Sequence, residues 1–387
     1  MKVWPSVRLK ECTRIVSGAT PMTTNSAFWN GVIAWVTPKD LSNLDSVYIS
    51  QTTRKITEAG LSSCAAEMLP AGSVLFSSRA PIGHVAINAI PMATNQGFKS
   101  FVPNPDKLFA GYLYWWLKVN RHYLESLGNG ATFKEVSKLV IGRVEIPLPP
   151  LDEQRRIAAI LDQADALRRK RQDALRQLKT LKQAILCQLL NEVRTTKRVK
   201  LNEICKRVTD GTHQSPEWAE SGVPFIFVSN IRDGEISLKT NKYVSLETYH
   251  ALTKSAPIEK GDVLYTTVGS YGHSAVINTD KIFIFQRHVA HIKPKHHEVF
   301  SEFLSSVLES PKLRQQADRV AKGIAQKTVI LADLKSFEVD LPAMADQEKF
   351  SEHTKKMDQL REHQQMQLER LDGLFASLQH RAFRGEL

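Results

Sequence analysis

Residues 149–190 read PPLDEQRRIAAILDQADALRRKRQDALRQLKTLKQAILCQLL, and this stretch decides the fold. It holds no glycine, and its prolines stop at Pro150. Apolar residues recur every seven positions: Ile157, Ala164, Leu178 and Ile185 on one line, Ile160, Leu167, Ala174 and Leu181 on the next, with Leu161, Leu175 and Leu189 widening the stripe. Such a pattern predicts one long amphipathic helix with a seam for another helix. Pro149 and Pro150 mark its start, and Asp152 and Glu153 put negative charge in its first turn.

Residues 341–383, LPAMADQEKFSEHTKKMDQLREHQQMQLERLDGLFASLQHRAF, repeat the pattern. Shifted by 193 positions, Pro149 falls on Pro342 and Gln154 on Gln347. The second seam reads Phe350, Met357, Leu371 and Leu378, with Leu360 and Leu374 beside it, and Arg171 matches Gln364 midway along. Packed antiparallel, the two helices would bring those midpoints together as a buried polar layer that fixes register. The other reading is that Arg171 extends its charged end to water.

The repeat extends to the rest of the chain. Val7-Arg8-Leu9 and Val199-Lys200-Leu201 open the two copies, followed by Cys12 and Cys205. Strand signals come next, at Val32–Val36 and Val223–Val228, and then Gly72 and Gly261 each turn the chain into an apolar run. Gly83-His84 matches Gly272-His273. Each half continues with one apolar helix (Leu108 to Leu127, Val299 to Val320) and a loop (Gly128-Asn129-Gly130-Ala131-Thr132, Lys322-Gly323-Ile324-Ala325-Gln326). A last strand, Val144–Leu148 or Phe337–Leu341, feeds the long helix. The expected fold is α+β: a domain at 1–148, a long helix at 149–191, a linker at 192–198, a second domain at 199–341, and a second long helix with its tail at 342–387. The helices form an antiparallel coiled coil, and the repeat gives a pseudo-twofold axis.

With 387 residues the chain can build two or more cores. No apolar run is long enough to span a membrane. Met1 to Pro5 lead into folded-looking sequence with no apolar stretch of signal-peptide length, so a cytoplasmic location is expected. Cys12, Cys64, Cys187 and Cys205 are scattered and read as free thiols. The net charge of +12 suggests a polyanionic partner, nucleic acid first.

No catalytic constellation emerges. Leu148-Pro149-Pro150-Leu151 has the two prolines of an amino-methyltransferase signature but neither its Asn or Asp nor its aromatic, and reads as a strand-to-helix corner. Glycine-rich cofactor loops, Walker and HExxH motifs are absent, and no acidic-x-Lys follows Pro105-Asp106. His288, His291, His296 and His297 read as a solvated basic loop more readily than a metal site. Tyr112, Tyr114, Trp115 and Trp116 read as core, and Arg168 to Arg171 as a solvated helix face. Loop residues are the better candidates for nucleic acid: Arg79, His84, Asn95, Gln96 and Lys99 in the first half, and Thr212, His213, Tyr271, His273, Gln286, Arg287, His288 and Lys327 in the second. Arg suits guanine and Asn or Gln suits adenine through paired hydrogen bonds. The halves agree in framework but differ between framework glycines: Ser77 to Ile82 faces Thr266 to Tyr271. That difference fits two related, non-identical ligands, and equally fits drift after duplication.

Three groups of residues carry a family resemblance: Gly72-Ser73-Val74-Leu75-Phe76-Ser77-Ser78-Arg79-Ala80-Pro81-Ile82-Gly83, Asn95-Gln96-Gly97-Phe98, and Pro147 to Gln154. In the second half it rests on Asp210-Gly211-Thr212-His213-Gln214-Ser215-Pro216, Gly222 to Ile226, Gly261 to Tyr265, and the ending Leu378 to Leu387. In these, over nearly its whole length, the chain resembles the DNA-specificity subunit of type I restriction-modification enzymes. It departs at Met344-Ala345-Asp346-Gln347, where the family usually has Pro-Leu-x-Glu-Gln. The resemblance implies two target-recognition domains, each reading one half of a split site in double-stranded DNA, held apart by the helices. It implies a chain that is not itself an enzyme and binds no cofactor. Its implied partners are two methylase subunits with S-adenosylmethionine and restriction subunits with ATP and Mg. DNA-mimic anti-restriction proteins are a further partner class, and no membrane is involved. The alternatives from other classes are a stand-alone DNA-binding coiled-coil scaffold and a self-contained methyltransferase.

Overall fold

A computed structural model describes residues 4–42, 44–130, 134–193, 196–213 and 215–387. Met1 to Val3, Ala131 and Thr132 of the first loop, Arg194 and Thr195 of the linker, and Gln214 lie outside the described residues. The chain divides into two compact units, residues 1–170 with 368–387 and residues 171–367. Each long helix is therefore shared: one part packs in the first unit and the rest in the second.

In unit 1 a five-stranded sheet runs in the order Thr13–Ser17, Lys99–Pro103, Val74–Phe76, Val85–Asn88, Tyr48–Ile49. A three-stranded sheet, Arg54–Ile56, Trp29–Val36, Ala93–Thr94, lies beside it in sequence. Ser6–Arg8 pairs antiparallel with Glu145–Pro147 and delivers the chain to the long helix Leu151–Glu192. Unit 2 repeats this plan. Its main sheet has four strands, Cys205–Asp210, Val289–Pro294, Val263–Thr266 and Ser274–Val276. Its small sheet joins Tyr243–Val244, Val223–Ile226 and Ile284–Phe285. Lys197–Lys200 pairs with Glu338–Leu341 before the second long helix, Met344–Ala382. Registers correspond too: Val74 faces Phe101 as Val263 faces Ile292.

The single helix expected in each half is two. Ala110–Val119 stops at Asn120, whose side chain donates to the Trp116 carbonyl at 2.8 Å, and Arg121–Ser126 follows. Ser301–Leu308 is separated from Pro311–Val320 by Ser310, which caps Leu313 N–H, with Pro311 at the first helical position. Tyr112, Tyr114, Trp115 and Trp116 are buried. Trp115 donates to Asp162 at 2.9 Å and meets Phe375 edge-on at 5.6 Å, so the first domain grips both long helices.

Within each unit the long helices run antiparallel. In unit 1, Arg168 pairs with Asp372 at 2.6 Å and Arg156 donates to the Leu387 carbonyl at 2.8 Å. In unit 2, Arg171 donates to Gln364, and Lys182 pairs with Asp358 at 3.4 Å. Ile157, Ala164 and Phe350 are buried, and Ile160, Leu178, Ile185, Met357, Leu371 and Leu378 are half-buried. The leucines of the second line and those beside the second seam depart from the expectation, whereas Ala174 is half-buried. Leu167 and Leu374 are 54% and 53% exposed, and Leu181 and Leu360 are exposed as well. The reason is that each helix also covers a domain: Ala158, Leu161 and Leu186 enter the cores, which turns the second line outward. The basic run is not simply solvated, because Arg168 and Arg169 both pair with Asp165 and Arg169 donates to the Asp45 carbonyl at 2.9 Å.

The four cysteines are free. Burial pushes the Cys12 thiol up to about 11 and the Cys205 thiol up to about 12. With a thiol reagent, the folded chain is expected to react first at exposed Cys187, more slowly at half-buried Cys64, and at Cys12 and Cys205 only on unfolding. Mass spectrometry of a labelling time course checks this; early labelling of Cys205 would contradict the described core. Among the described residues no helix is long and apolar enough to cross a membrane.

Candidate nucleic-acid interface

Four loops meet on each unit, and backbone hydrogen bonds hold them in the same way twice. In unit 1 Gly18 N–H donates to the Phe98 carbonyl at 3.2 Å and Ala19 N–H to the Thr94 carbonyl at 3.0 Å. A side chain on Gly18 would collide with the carbonyls of Thr94 and Asn95, which explains the glycine. Ser78 N–H reaches the Gly97 carbonyl at 2.7 Å, and Val136 N–H reaches the Ser78 carbonyl at 3.0 Å. In unit 2 the matching bonds are Gly211 to Val289 at 3.2 Å, Thr212 to Phe285 at 3.2 Å, Thr267 to His288 at 2.9 Å and Val329 to Thr267 at 2.9 Å.

The turn at Gly83-His84 is duplicated as well. Ser77 Oγ accepts from His84 N–H and donates to the Pro81 carbonyl; Thr266 Oγ1 accepts from His273 N–H and donates to the Ser270 carbonyl. Gly83 and Gly272 have φ of +96° and +89°, and Arg121 or Arg314 lies where a Cβ would be. A left-handed residue under an arginine leaves room for glycine alone.

These contacts gather Arg79, Asn95 and Gln96 into one cluster, and Thr212, Gln286, Arg287 and His288 into another. Asn95 Oδ1 accepts from Gly97 N–H at 2.9 Å and so shapes its loop. Gln96 is exposed and takes a hydrogen bond from Thr20, a residue the sequence reading passed over. Arg79 is half-exposed and lies 3.8 Å from Glu135. Lys327 is exposed, and its carbonyl accepts from Gly269 N–H at 2.9 Å. His213 is exposed and 2.9 Å from Asp210.

Two expected residues do not face outward. Lys99 is 8% exposed and pairs with Glu135 at 3.0 Å, so its charge is spent under the loop. Tyr271 is 4% exposed; its hydroxyl donates to Asp318 at 2.7 Å and Arg314 covers its ring at 4.3 Å. Both hold loops in place. The histidines also change meaning. Burial, with Arg121 beside His84 and Arg232 beside His273, lowers both pKa values; burial and Arg287 do the same to His288. All three are therefore mainly neutral near pH 7, and in His273 and His288 the Nε2 acceptor already takes Arg232 or Arg287, which leaves the other ring nitrogen as a donor. Positive charge on the faces comes from Arg79, Arg287 and Lys327 and from the exposed Lys134 and Lys322, which the sequence reading did not single out.

His291 is not in a solvated loop. It is buried and 2.6 Å from Asp262, which also takes Lys293 at 2.8 Å. Among the described residues no group of three or more His, Cys, Asp or Glu could hold a metal.

The duplicated framework agrees with what known proteins show. The pattern of the family described as "Type I restriction modification DNA specificity domain" matches residues 1–177 and 194–370. The chain is 40% identical over 168 residues to the type I restriction enzyme MjaIX specificity subunit of Methanocaldococcus jannaschii, covering 43% of this chain and 39% of that one. It is 27% identical over 331 residues to the EcoBI specificity subunit of Escherichia coli, covering 77% of this chain and 70% of that one. In fold it is similar to a type I restriction-modification S subunit from M. genitalium, with a TM-score of 0.60 at 14% identity over 98% of this chain and 96% of that one. It is also similar to a chain solved for complex assembly and conformational transition of the type I R-M system, with a TM-score of 0.58 at 20% identity over 100% and 99% of the two chains. With two matched segments that together span most of its length, the chain belongs to the type I restriction-modification DNA specificity family and carries the family's domain twice.

Proposed function

We propose that this chain is the non-catalytic DNA-recognition subunit of a type I restriction-modification complex, each unit reading one half of a bipartite site in double-stranded DNA. One observation carries the reading: two four-loop clusters share a backbone framework bond for bond, yet differ in the side chains at their tips. Asn95, Gln96 and Gly97 stand in one where Gln286, Arg287 and His288 stand in the other, and Arg79 stands where the second cluster has Val268. A common scaffold with unlike tips suits two different short sequences read by base edges, with cations on phosphates supplying affinity.

The helices set the unread spacer in this reading. Helices of 42 and 39 residues are each about 60 Å long at 1.5 Å per residue. The outward line of Leu167 and Leu374 in one unit, and of Leu181 and Leu360 in the other, suits apolar helices of two methylase subunits. Those subunits carry S-adenosylmethionine and methylate adenine. Restriction subunits join them with ATP and Mg, and this chain binds none of these cofactors.

Replacing Leu9 to Leu148 by the equivalent segment of another family member, in cells that supply the methylase, is expected to change one half of the methylated motif and leave the other. Genome-wide mapping of methylated adenine reads the outcome. A change in both halves, or a motif that persists without this chain, would refute the proposal.

A further inference from the structure

The two small sheets carry a second duplicated arrangement, outside the loop clusters. In unit 1 the Arg54 guanidinium lies 3.7 Å from the centre of the Trp29 ring and 5.3 Å from that of Trp35, and the two indoles meet edge-on at 5.1 Å and 83°. In unit 2 the Lys242 ammonium lies 5.0 Å from the centre of the Trp218 ring, and Trp218 meets Phe225 edge-on at 5.0 Å and 89°. The positions correspond through the sheet. Trp35 stands opposite Arg54 in the antiparallel ladder, and Phe225 N–H bonds the Lys242 carbonyl at 2.9 Å. Both central strands pair parallel with the strand that leads into the second loop, Trp35 with Ala93 and Phe225 with Ile284.

The residues are not the same. Lysine replaces arginine and phenylalanine replaces tryptophan, and Trp29 begins its strand whereas Trp218 belongs to the loop before its strand. A cation on an aromatic pair is common enough that either stack alone would mean little. The same arrangement at the same place in both units, reached with different side chains, indicates that the arrangement itself is used.

Each stack also adjoins the loop cluster. The Trp35 and Trp29 indole N–H groups donate to the carbonyls of Ala19 at 3.1 Å and Met22 at 3.2 Å, bracketing Thr20, which reaches Gln96. Trp218 follows Thr212 and His213 by a few residues. Among the described residues no carboxylate forms an ion pair with Arg54 or Lys242. The aromatic face fixes the cation without neutralising it. A guanidinium seated 3.7 Å over a ring and without an ion pair can still give a planar, two-pronged contact.

We propose that Arg54 on Trp29, and Lys242 on Trp218, are phosphate posts: each takes a backbone phosphodiester of duplex DNA at the margin of its loop cluster. The inference rests on the DNA-recognition reading and adds residues to it. A cation anchored to a sheet, apart from the variable tips, suits the sequence-independent backbone better than a base edge. A base stacked on the exposed Trp218 ring is the competing arrangement.

The test is a salt titration of binding to a random-sequence DNA duplex, using the full-length chain purified with its co-expressed partner subunits. Variants R54M and K242M keep an apolar side chain on the ring and remove the charge; R54K keeps a charge. Each Met variant is expected to bind roughly five- to tenfold more weakly near about 0.1 M salt, with the log–log salt slope reduced by about 0.9, the contribution of one phosphate contact. R54K is expected to retain the slope, and the methylated motif should be unchanged in all three. Weaker binding with an unaltered slope would make the stacks mere loop clamps and overturn the proposal, as would undiminished binding. If W218A weakens binding while K242M does not, stacking replaces the post in unit 2. A wild-type complex without affinity for duplex DNA would overturn both this inference and the DNA-recognition reading. Normal wild-type binding with unaffected Met variants would overturn the posts alone.

Discussion

Gln154→Leu is expected to destabilise unit 1 by about 3 kcal/mol, and Gln347→Leu to do nearly the same in unit 2. Gln154 is fully buried at the start of the first long helix. Its Oε1 accepts from Phe109 N–H at 2.8 Å, and its Nε2 donates to the carbonyls of Lys107 at 2.9 Å and Pro149 at 2.8 Å. One amide thus ties the helix start, the strand-to-helix corner and the entry to the Ala110–Val119 helix. Leucine fills similar space but strands one donor and two acceptors, each costing about 1–3 kcal/mol when buried, with partial relaxation setting the total near the low end of that sum. Gln347 makes the same contacts to Phe300, Glu298 and Pro342 at 3.1, 3.2 and 2.9 Å. The departure from the family pattern at Met344 to Asp346 therefore leaves this lock intact. Thermal melting should fall by roughly 6–12 °C, and amide exchange should accelerate at Phe109 in one variant and at Phe300 in the other. A change below about 1 kcal/mol would show that water or a neighbouring group takes over the orphaned amide.

Asp262→Ala is expected to cost about 3 kcal/mol near neutral pH, because it leaves the buried His291 and the largely buried Lys293 without their shared carboxylate. Burial pushes the Asp262 pKa up, but hydrogen bonds from His291, Lys293 and Glu259 N–H outweigh it and hold the carboxyl below its ordinary value. A carboxyl depressed in the folded state stabilises above its unfolded pKa of about 3.9 and loses that contribution as pH falls through the folded value. The gap between wild type and variant should accordingly shrink as the pH falls below about 4. Denaturant unfolding across a pH series measures it, and a gap independent of pH would remove the ionic explanation. Unit 1 offers a control. The matching positions there, beside the paired Val74 and Phe101, hold Ser73 and Ser100, both buried. Changing Asp262 and His291 together to serine should cost less than Asp262→Ser alone, because the partner left unpaired is removed as well.

Particular residues show how far the sequence reaches. Gln154 and Gln347 were aligned by the 193-residue shift, but only the fold showed that each closes three hydrogen bonds. Lys99 and Tyr271 looked like DNA contacts because loop position and chemistry are visible in a sequence. Glu135 and Asp318, which occupy them, lie 36 and 47 residues away. Arg54 and Trp29 had no shared signal, since 25 positions and a bulged strand pairing separate them.

By itself, the sequence determined the twofold repeat, the two long helices with their heptad seams, the turn glycines and the family. The helices and turns are written in local spacing: a period of seven, a glycine where φ must be positive, a proline where a helix begins; the repeat and the family follow from the order of such signals along the chain. Tertiary structure alone decided which loop cations stay exposed, which line of leucines turns outward, and which aromatic rings carry a charge. Those properties depend on burial and on partners brought from distant parts of the chain. Coulombic pairing and desolvation act through space, so no local pattern records them.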